Sequence, residues 1–422
     1  MEETLDQYDH SLKNGTEANQ HGNGDGSRAL SVLTETLSTT QLLRESSVEA
    51  CSAPETLATL AQAPRPSWWR GDLTLAERYS LCRSVAEECI QEEELWRLLA
   101  LKPNAPVCYD GFEPSGRMHI AQGVQKALNV NKLTAVGCIF KFWIADYFAQ
   151  LNNKLGGDLE KIRTVGRYFI EVWRACGMDM ERVEFLWASE EIAKRPTEYW
   201  SLVMDIARRN SLARMIRCCQ IMGRNESDEL SAAQILYPCM QCADIFFLHA
   251  DVCQLGMDQR KVNVLAREYC DMRKLRHKPV ILSHRMMPGL KQGQEKMSKS
   301  DPDSAIFMED SEIEVNTKIK KAFCPPGVLE GNPCLEYLQY MVLPKLGEFC
   351  VERHPEHGGT KRYTDFGQVA RDYESGALHP SDLKPALARA LNQILQPVRD
   401  HFEQNPEARS LRDKVRRYRS KA

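Results

Sequence analysis

The chain has 422 residues, 43% hydrophobic and 27% charged, which suits two or three globular domains with cores of their own. A net charge of −3 excludes a global polycationic field, so any RNA contact must come from local patches. Fifteen cysteines in this length are not a small-domain disulfide framework and read as reduced thiols, and no run approaches the roughly 20 apolar residues that span a bilayer.

Residues 1–66 are rich in Ser, Thr, Asn, Gly and acids, and 14–28 have little to bury, so this extension is expected to be disordered. Within it, residues 29–50 carry irregularly spaced leucines that could form a marginal amphipathic helix. Glu2, Glu3, Asp6 and Asp9 argue against an Arg-rich transit peptide, so a soluble cytoplasmic protein is expected. Residues 67–101 turn helical: Asp72 or Thr74 could cap a helix running to Ile90, with a second over 91–101.

The main domain begins with a short strand, Val107–Tyr109. A loop from Asp110 to Gly116 carries two glycines and a proline, and a helix opens near Met118 and runs to about Leu133. A strand, a glycine loop and a helix start can cradle phosphate on backbone N–H groups, although the same pattern makes a plain turn with a surface histidine. Strands are expected at 138–146, 183–187, 252–255 and 279–282. Helices are expected at 158–176, 197–208, 211–222, 231–249 and from about 256 to 272. That alternation predicts an α/β fold with a doubly wound, Rossmann-like parallel sheet.

The helix 231–249 is mostly apolar, yet Tyr237, Gln241 and Asp244 fall on one face at i, i+4 and i+7. Buried polar groups need partners, so this face is either an internal hydrogen-bond network or the floor of a polar pocket. Cys239 and Cys242 make a C-x-x-C, but with no second pair at finger spacing they read as core cysteines, and no metal site is expected. Asp258, after Gly256 at a strand's C-terminal edge, could accept from ribose hydroxyls or simply cap a helix.

Lys296-Met297-Ser298-Lys299-Ser300 then packs two lysines and two serines into five residues after Pro288, Gly289 and Gly293. Such a cluster can grip a triphosphate while charge builds on its bridging oxygen. From about 310 the pattern is helical (311–322, 335–346, 366–374, 381–402, 409–419) with no βα alternation. The last stretch is basic, either a phosphate-contacting patch or a solvated face. The expected divisions are therefore an extension at 1–66, a catalytic domain at 67–309 and a helical domain at 310–422.

Two motifs carry a resemblance. His119-Ile120-Ala121-Gln122 is similar to the first signature of class I aminoacyl-tRNA synthetases, H-I-G-H, with Gln122 for the second His. Lys296–Ser300 is similar to the second, K-M-S-K-S. Tyr109-Asp110-Gly111, Tyr237-x3-Gln241-x2-Asp244, Gly256-Met257-Asp258-Gln259 and Leu378-His379-Pro380-Ser381-Asp382-Leu383-Lys384 narrow it. From Val107 on, the chain resembles tyrosyl-tRNA synthetases of the archaeal and eukaryotic cytosolic type. Glu113–Gly116 and Phe142–Asp146 look like plant or protist members.

The resemblance implies adenylate formation from L-tyrosine and ATP, with Mg²⁺ accompanying ATP, followed by transfer of tyrosine to tRNA(Tyr). It assigns Tyr109 and Asp244 to the phenol hydroxyl, and Tyr237, Gln241 and Gln259 to the α-amino group. Gly111, His119, Gln122, Gly256 and Asp258 would surround ATP. The loop, with Lys296, Met297, Ser298 and Lys299, would also touch ATP, and His119, Lys296 and Lys299 would be catalytic. His357, His379 and Asp382 would contact the anticodon through a mainly α-helical anticodon-binding domain. A homodimer is implied, with part of its interface placed at 211–222, and no DNA or membrane partner. Phe148 departs from a histidine that many members carry. Because a site built for a hydroxyl rejects phenylalanine by leaving buried partners unpaired, no editing domain is expected; tyrosyl-tRNA synthetases are themselves the standing example of that rule. The nearest rival is a tryptophanyl enzyme of the same fold. A synthetase-like RNA-binding protein without catalysis is the rival of another class.

Overall fold

The computed structural model describes residues 73–103, 105–223, 229–297 and 301–418. The expected extension over 1–66 and the loop residues Ser298, Lys299 and Ser300 lie outside the described residues.

Thr74 caps α1 (Leu75–Arg83) with a complete capping box: its hydroxyl accepts from Glu77 N while Glu77 accepts from Thr74 N. The expected continuation to Ile90 does not form. Glu88–Ile90 is instead a short edge strand, β1, before α2 (Glu92–Leu101). Three residues are too few to show a strand period, and this one exists because it pairs antiparallel with β6. Next come β2 (Val107–Phe112), a π turn at Ala121–Gln125 leading into α3 (Lys126–Ala135), β3 (Ile139–Ile144) and α4 (Asp146–Leu151). They are followed by α5 (Leu159–Ala175), β4 (Val183–Trp187), α6 (Ala188–Lys194), α7 (Pro196–Arg209) and α8 (Leu212–Cys218). Then come α9 (Ala232–Phe247), β5 (Val252–Cys253), α10 (Arg260–Arg273) and β6 (Val280–Ser283). β2 extends three residues past the expected Tyr109, so Asp110 and Gly111 are strand residues paired with Phe142 and Trp143.

The sheet runs β1-β6-β5-β2-β3-β4, parallel except for β1. The chain winds one way through β2, β3 and β4, then returns to the other side of β2 for β5 and β6. The switch point therefore lies between β2 and β5, where an open α/β sheet leaves a crevice at its carboxyl edge. Helix α9 backs that crevice. It passes through Pro238, which has no N–H for the Gln234 carbonyl one turn earlier; Cys219 Sγ takes that carbonyl at 3.3 Å.

Beyond β6 the chain forms α11 (Glu312–Lys321), α12 (Pro333–Tyr337), a π turn, α13 (Leu343–Leu346), α14 (Phe366–Glu374), α15 (Pro380–Gln404) and α16 (Pro406–Arg417). An antiparallel pair, β7 (Phe349–Val351) with β8 (Lys361–Tyr363), interrupts the expected helical run. The segment between sheet and helices is bonded to both. Ile120 N donates to Ile306 O at 2.8 Å and Met308 N to Met118 O at 2.9 Å. Gly123 sits where a Cβ would lie 2.3 Å from the Met308 sulfur, so only glycine admits this contact. Arg117 bridges Glu309 (2.6 Å) and Asp310 (2.8 Å), and Lys318 of α11 meets Asp310 at 2.6 Å. Arg399 of α15 and Arg416 of α16 donate to the Asp310 and Glu309 carbonyls, both at 2.8 Å. Among the described residues of the basic C-terminal stretch, Arg412 also bonds to Glu403 and Asp413.

Candidate active site

A cavity of about 320 Å³ opens at the carboxyl ends of β2 and β5. It is lined by Tyr109, Gly111, His119, Gln122, Tyr237, Gln241, Asp244, Gly256, Asp258, Gln259, Lys296 and Met297. Every expected tyrosine- and ATP-site residue that the structure describes lines it.

One end is deep. Asp244 is 1% exposed, and its Oδ1 accepts from the Tyr199 hydroxyl at 2.8 Å. Its Oδ2 is buried with no hydrogen-bond partner. Burial holds the Asp244 carboxyl well above the usual range; the Tyr199 hydroxyl bonded to it, with Tyr109 and Trp143 facing it, pulls the other way. Tyr109, from β2, is 1% exposed on the same cavity wall. The Tyr237 hydroxyl donates to Glu113 Oε1 at 2.6 Å, and Asn152 Nδ2 donates to the same carboxylate. Gln241 Nε2 donates to Gln259 Oε1 at 3.0 Å, and Gln259 Nε2 to Ile221 O at 3.0 Å. Phe148 packs edge-on against the Tyr237 ring at 5.0 Å, so the aromatic departure here fills the wall apolarly.

The other end is backbone and cation. Gly111 N is held by its neighbour Asp110 at 2.8 Å. At Gly256 a Cβ would come within 2.6 Å of Asp258 Oδ1 and 2.7 Å of Met286 Sδ, so glycine lets the chain pass close behind Asp258. His119 Nδ1 accepts from Gln122 N at 3.4 Å. The Gln122 carbonyl accepts from Trp173 Nε1, while its side-chain Oε1 is buried without a partner. Burial raises Asp258, and Lys296 opposes that shift, which places a cation beside it.

Beneath both ends lies a buried charge pair that the sequence reading did not single out. Lys126 Nζ meets Asp110 and also donates to Gln254 Oε1 at 2.8 Å. Burial pushes the Asp110 carboxyl up to about 6 against the pull of Lys126. The ring of half-buried His284 is held well below its ordinary range, first by desolvation and then by Lys126, so it is neutral. With Gln254 Oε1 on the lysine, its Nε2 faces His284 Nδ1 at 3.0 Å, leaving the ring proton on Nε2. Removing one partner of the Lys126–Asp110 pair would strand a buried charge at about 3–5 kcal/mol.

A family model described as tRNA synthetases class I (W and Y) matches residues 102–396. The chain belongs to the class I tRNA synthetases of this W and Y family. Among relatives of this synthetase, Tyrosine--tRNA ligase 1, cytoplasmic, from Arabidopsis thaliana is 69% identical over 81% of this chain and 89% of its own length. Tyrosine--tRNA ligase 2, cytoplasmic, of the same plant is 66% identical over 81% of this chain and 46% of its own length. The Leishmania major tyrosyl-tRNA synthetase solved with tyrosinol matches with a TM-score of 0.78 and 53% identity, covering 82% of this chain and 61% of its own. The synthetase thus spans under half of the second plant relative and under two thirds of the Leishmania chain.

Of the residues expected at the anticodon, His379 is exposed and caps α15, its ring accepting from Ser381 N at 3.2 Å; Asp382 lies in that helix's first turn. The His357 side chain lies outside what is described. Sequence reasoning missed Tyr199, Glu113 and Lys126. Lys126, four residues after Gln122, shared its helix face, and Glu113 stood inside the glycine loop. Nothing local marked Tyr199.

Proposed function

We propose that this synthetase is a cytosolic tyrosine–tRNA ligase: it joins L-tyrosine to ATP as tyrosyl-adenylate, releases pyrophosphate, and transfers tyrosine to the 3′-terminal adenosine of tRNA(Tyr). One observation carries the reading. The cavity ends on a buried carboxyl, Asp244, with one oxygen unfilled and a phenol, Tyr109, on the same wall. A substrate hydroxyl would satisfy that oxygen, and phenylalanine would leave it unpaired. The Tyr237–Gln241–Gln259 side of the cavity, polar and already ordered, suits the α-amino group.

No protein nucleophile is needed. The tyrosine carboxylate attacks the α-phosphorus, and the protein's part is to align the two and to stabilise departing pyrophosphate. His119, Lys296 and, from outside the described residues, Lys299 would do the latter. Gly111, Gln122, Gly256, Asp258, Met297 and Ser298 would border the nucleotide. Mg²⁺ would accompany ATP, held by phosphates and water. The donor set fits this, since the nucleotide end offers amides, an imidazole, a lysine and one carboxylate, with no metal-ligating cluster of three among the described residues. The helical region from about residue 310 would read the anticodon through His357, His379 and Asp382. A homodimer is favoured by apolar side chains on α7 and α8: Met204 is 61% and Leu212 62% exposed, with Trp200 beside them. In the stretch 211–222, Leu212 is the large apolar side chain exposed on that face; Met215, Cys218, Cys219 and Ile221 are buried in the core.

ATP–pyrophosphate exchange with a panel of amino acids tests the reading. Exchange with tyrosine, followed by charging of tRNA(Tyr), is expected; exchange with tryptophan alone, or with none in folded protein, would overturn it.

A further inference from the structure

Asp244 is aimed by a residue that does not touch the cavity. Tyr199, on α7, is fully buried and absent from the cavity wall, yet its hydroxyl fills Asp244 Oδ1 at 2.8 Å. Its ring stands edge-on to Phe247 at 5.1 Å and so is fixed by packing independent of the hydroxyl. From β3, on the cavity wall, Trp143 presents an indole N–H that is buried and closes no hydrogen bond, although it reaches toward the same carboxyl. A buried N–H without a partner is costly, so its retention at this spot calls for a reason. A carboxylate has two oxygens and can swing about its last torsion. Filling one oxygen from behind removes that freedom and leaves the other in a single orientation.

We propose that Tyr199 and Trp143 are positioning, specificity-determining residues: Tyr199 fixes Asp244 through Oδ1, and Trp143 flanks the carboxyl from the wall, so that Oδ2 is the one acceptor offered to the substrate's phenol. This rests on the tyrosine-ligase reading above. The discrimination between tyrosine and phenylalanine then depends on a hydroxyl behind the wall as well as on the carboxylate that meets the substrate. A merely structural Tyr199 would lower activity toward both amino acids alike. A positioning Tyr199 acts on the hydroxyl-bearing substrate alone.

The test is Tyr199→Phe in the full-length protein, which keeps the ring and removes one oxygen. kcat/KM is measured by pyrophosphate exchange for tyrosine and for phenylalanine on the same preparation, so that any inactive fraction cancels in the ratio. The tyrosine-to-phenylalanine ratio should fall about tenfold, carried by a higher KM for tyrosine with kcat nearly unchanged. Tyr269→Phe, which removes a hydroxyl that α10 donates to Asp205 of α7 at 2.7 Å, should leave the ratio unchanged. Should Tyr199→Phe fail to fold, Trp143→Phe replaces it, with a fall of about threefold expected. An unchanged ratio in the folded variant overturns the inference while leaving the ligase reading intact. A wild-type protein that does not activate tyrosine overturns both.

Discussion

At its deep end the cavity is lined by side chains whose hydrogen bonds are already assigned: Tyr237 to Glu113, Gln241 to Gln259, Asp244 to Tyr199. At its open end the lining is the backbone of Gly111 and Gly256, His119, and the first lysine of the signature loop. On the proposed function, the contrast follows from what each end would have to do. A neutral ring with one hydroxyl offers little binding energy, so selection needs acceptors held in place before it arrives. A triphosphate carries its own charge, and the stabilisation that matters appears only as pyrophosphate leaves, so cations on a loop suffice.

The largest effect should come from the deep end. Asp244→Ala removes the acceptor and should lower kcat/KM for tyrosine by about 10³-fold, since a buried charged partner is lost. Exchange kinetics and a thermal melt together check this. An unchanged rate, or a collapse of the fold in place of the rate, would break the assignment. At the open end, Lys296→Ala should lower kcat by about 10²-fold while tyrosine binding, followed by equilibrium titration without ATP, stays as in the wild type. A change in tyrosine affinity would show that the two ends are not separate. Gln259→Leu tests one neutral hydrogen bond at the deep end; KM for tyrosine should rise about tenfold with kcat little changed.

The smallest effect is that of pH. Burial raises Asp244, so it takes its proton at a higher pH than an ordinary carboxylate, and a protonated Asp244 accepts more weakly. The tyrosine-to-phenylalanine ratio should therefore fall, by about threefold, as the pH is lowered, starting at a higher pH than an ordinary carboxylate would give. A flat ratio would mean that its hydrogen bonds hold the carboxylate ionised throughout.

The parallel sheet was legible because α/β alternation writes itself into sequence as apolar runs separated by glycine turns and helical periods. Tyr237, Gln241 and Asp244 were legible for a related reason: polar groups in register on an apolar helix cannot be explained by that helix alone. β1 and the β7–β8 pair were not, because three-residue strands owe their existence to a partner far away in sequence. Tyr199 and the Lys126–Asp110 pair were hidden for the same cause. A tyrosine on an amphipathic helix and a lysine in a helix's first turn are ordinary until the fold brings a carboxylate to them. For the basic C-terminal stretch both readings stay open, and local composition could not show that Arg412 and Arg416 also bond to Glu403, Asp413 and the Glu309 backbone.

The bonds around Glu309 and Asp310 have a thermodynamic consequence. Arg117 lies two residues before His119, while Lys318, Arg399 and Arg416 come from three different C-terminal helices, and all meet within one short buried segment. Loosening α11 would take Lys318 from the Asp310 carboxylate, which is 0% exposed and shared by two cations, and loosening α15 or α16 would free the Asp310 or Glu309 carbonyl. The helices and the sheet are therefore expected to melt together in one calorimetric transition. A chain cut at Asn405 should shift that single transition to lower temperature, with no separate peak left for the sheet.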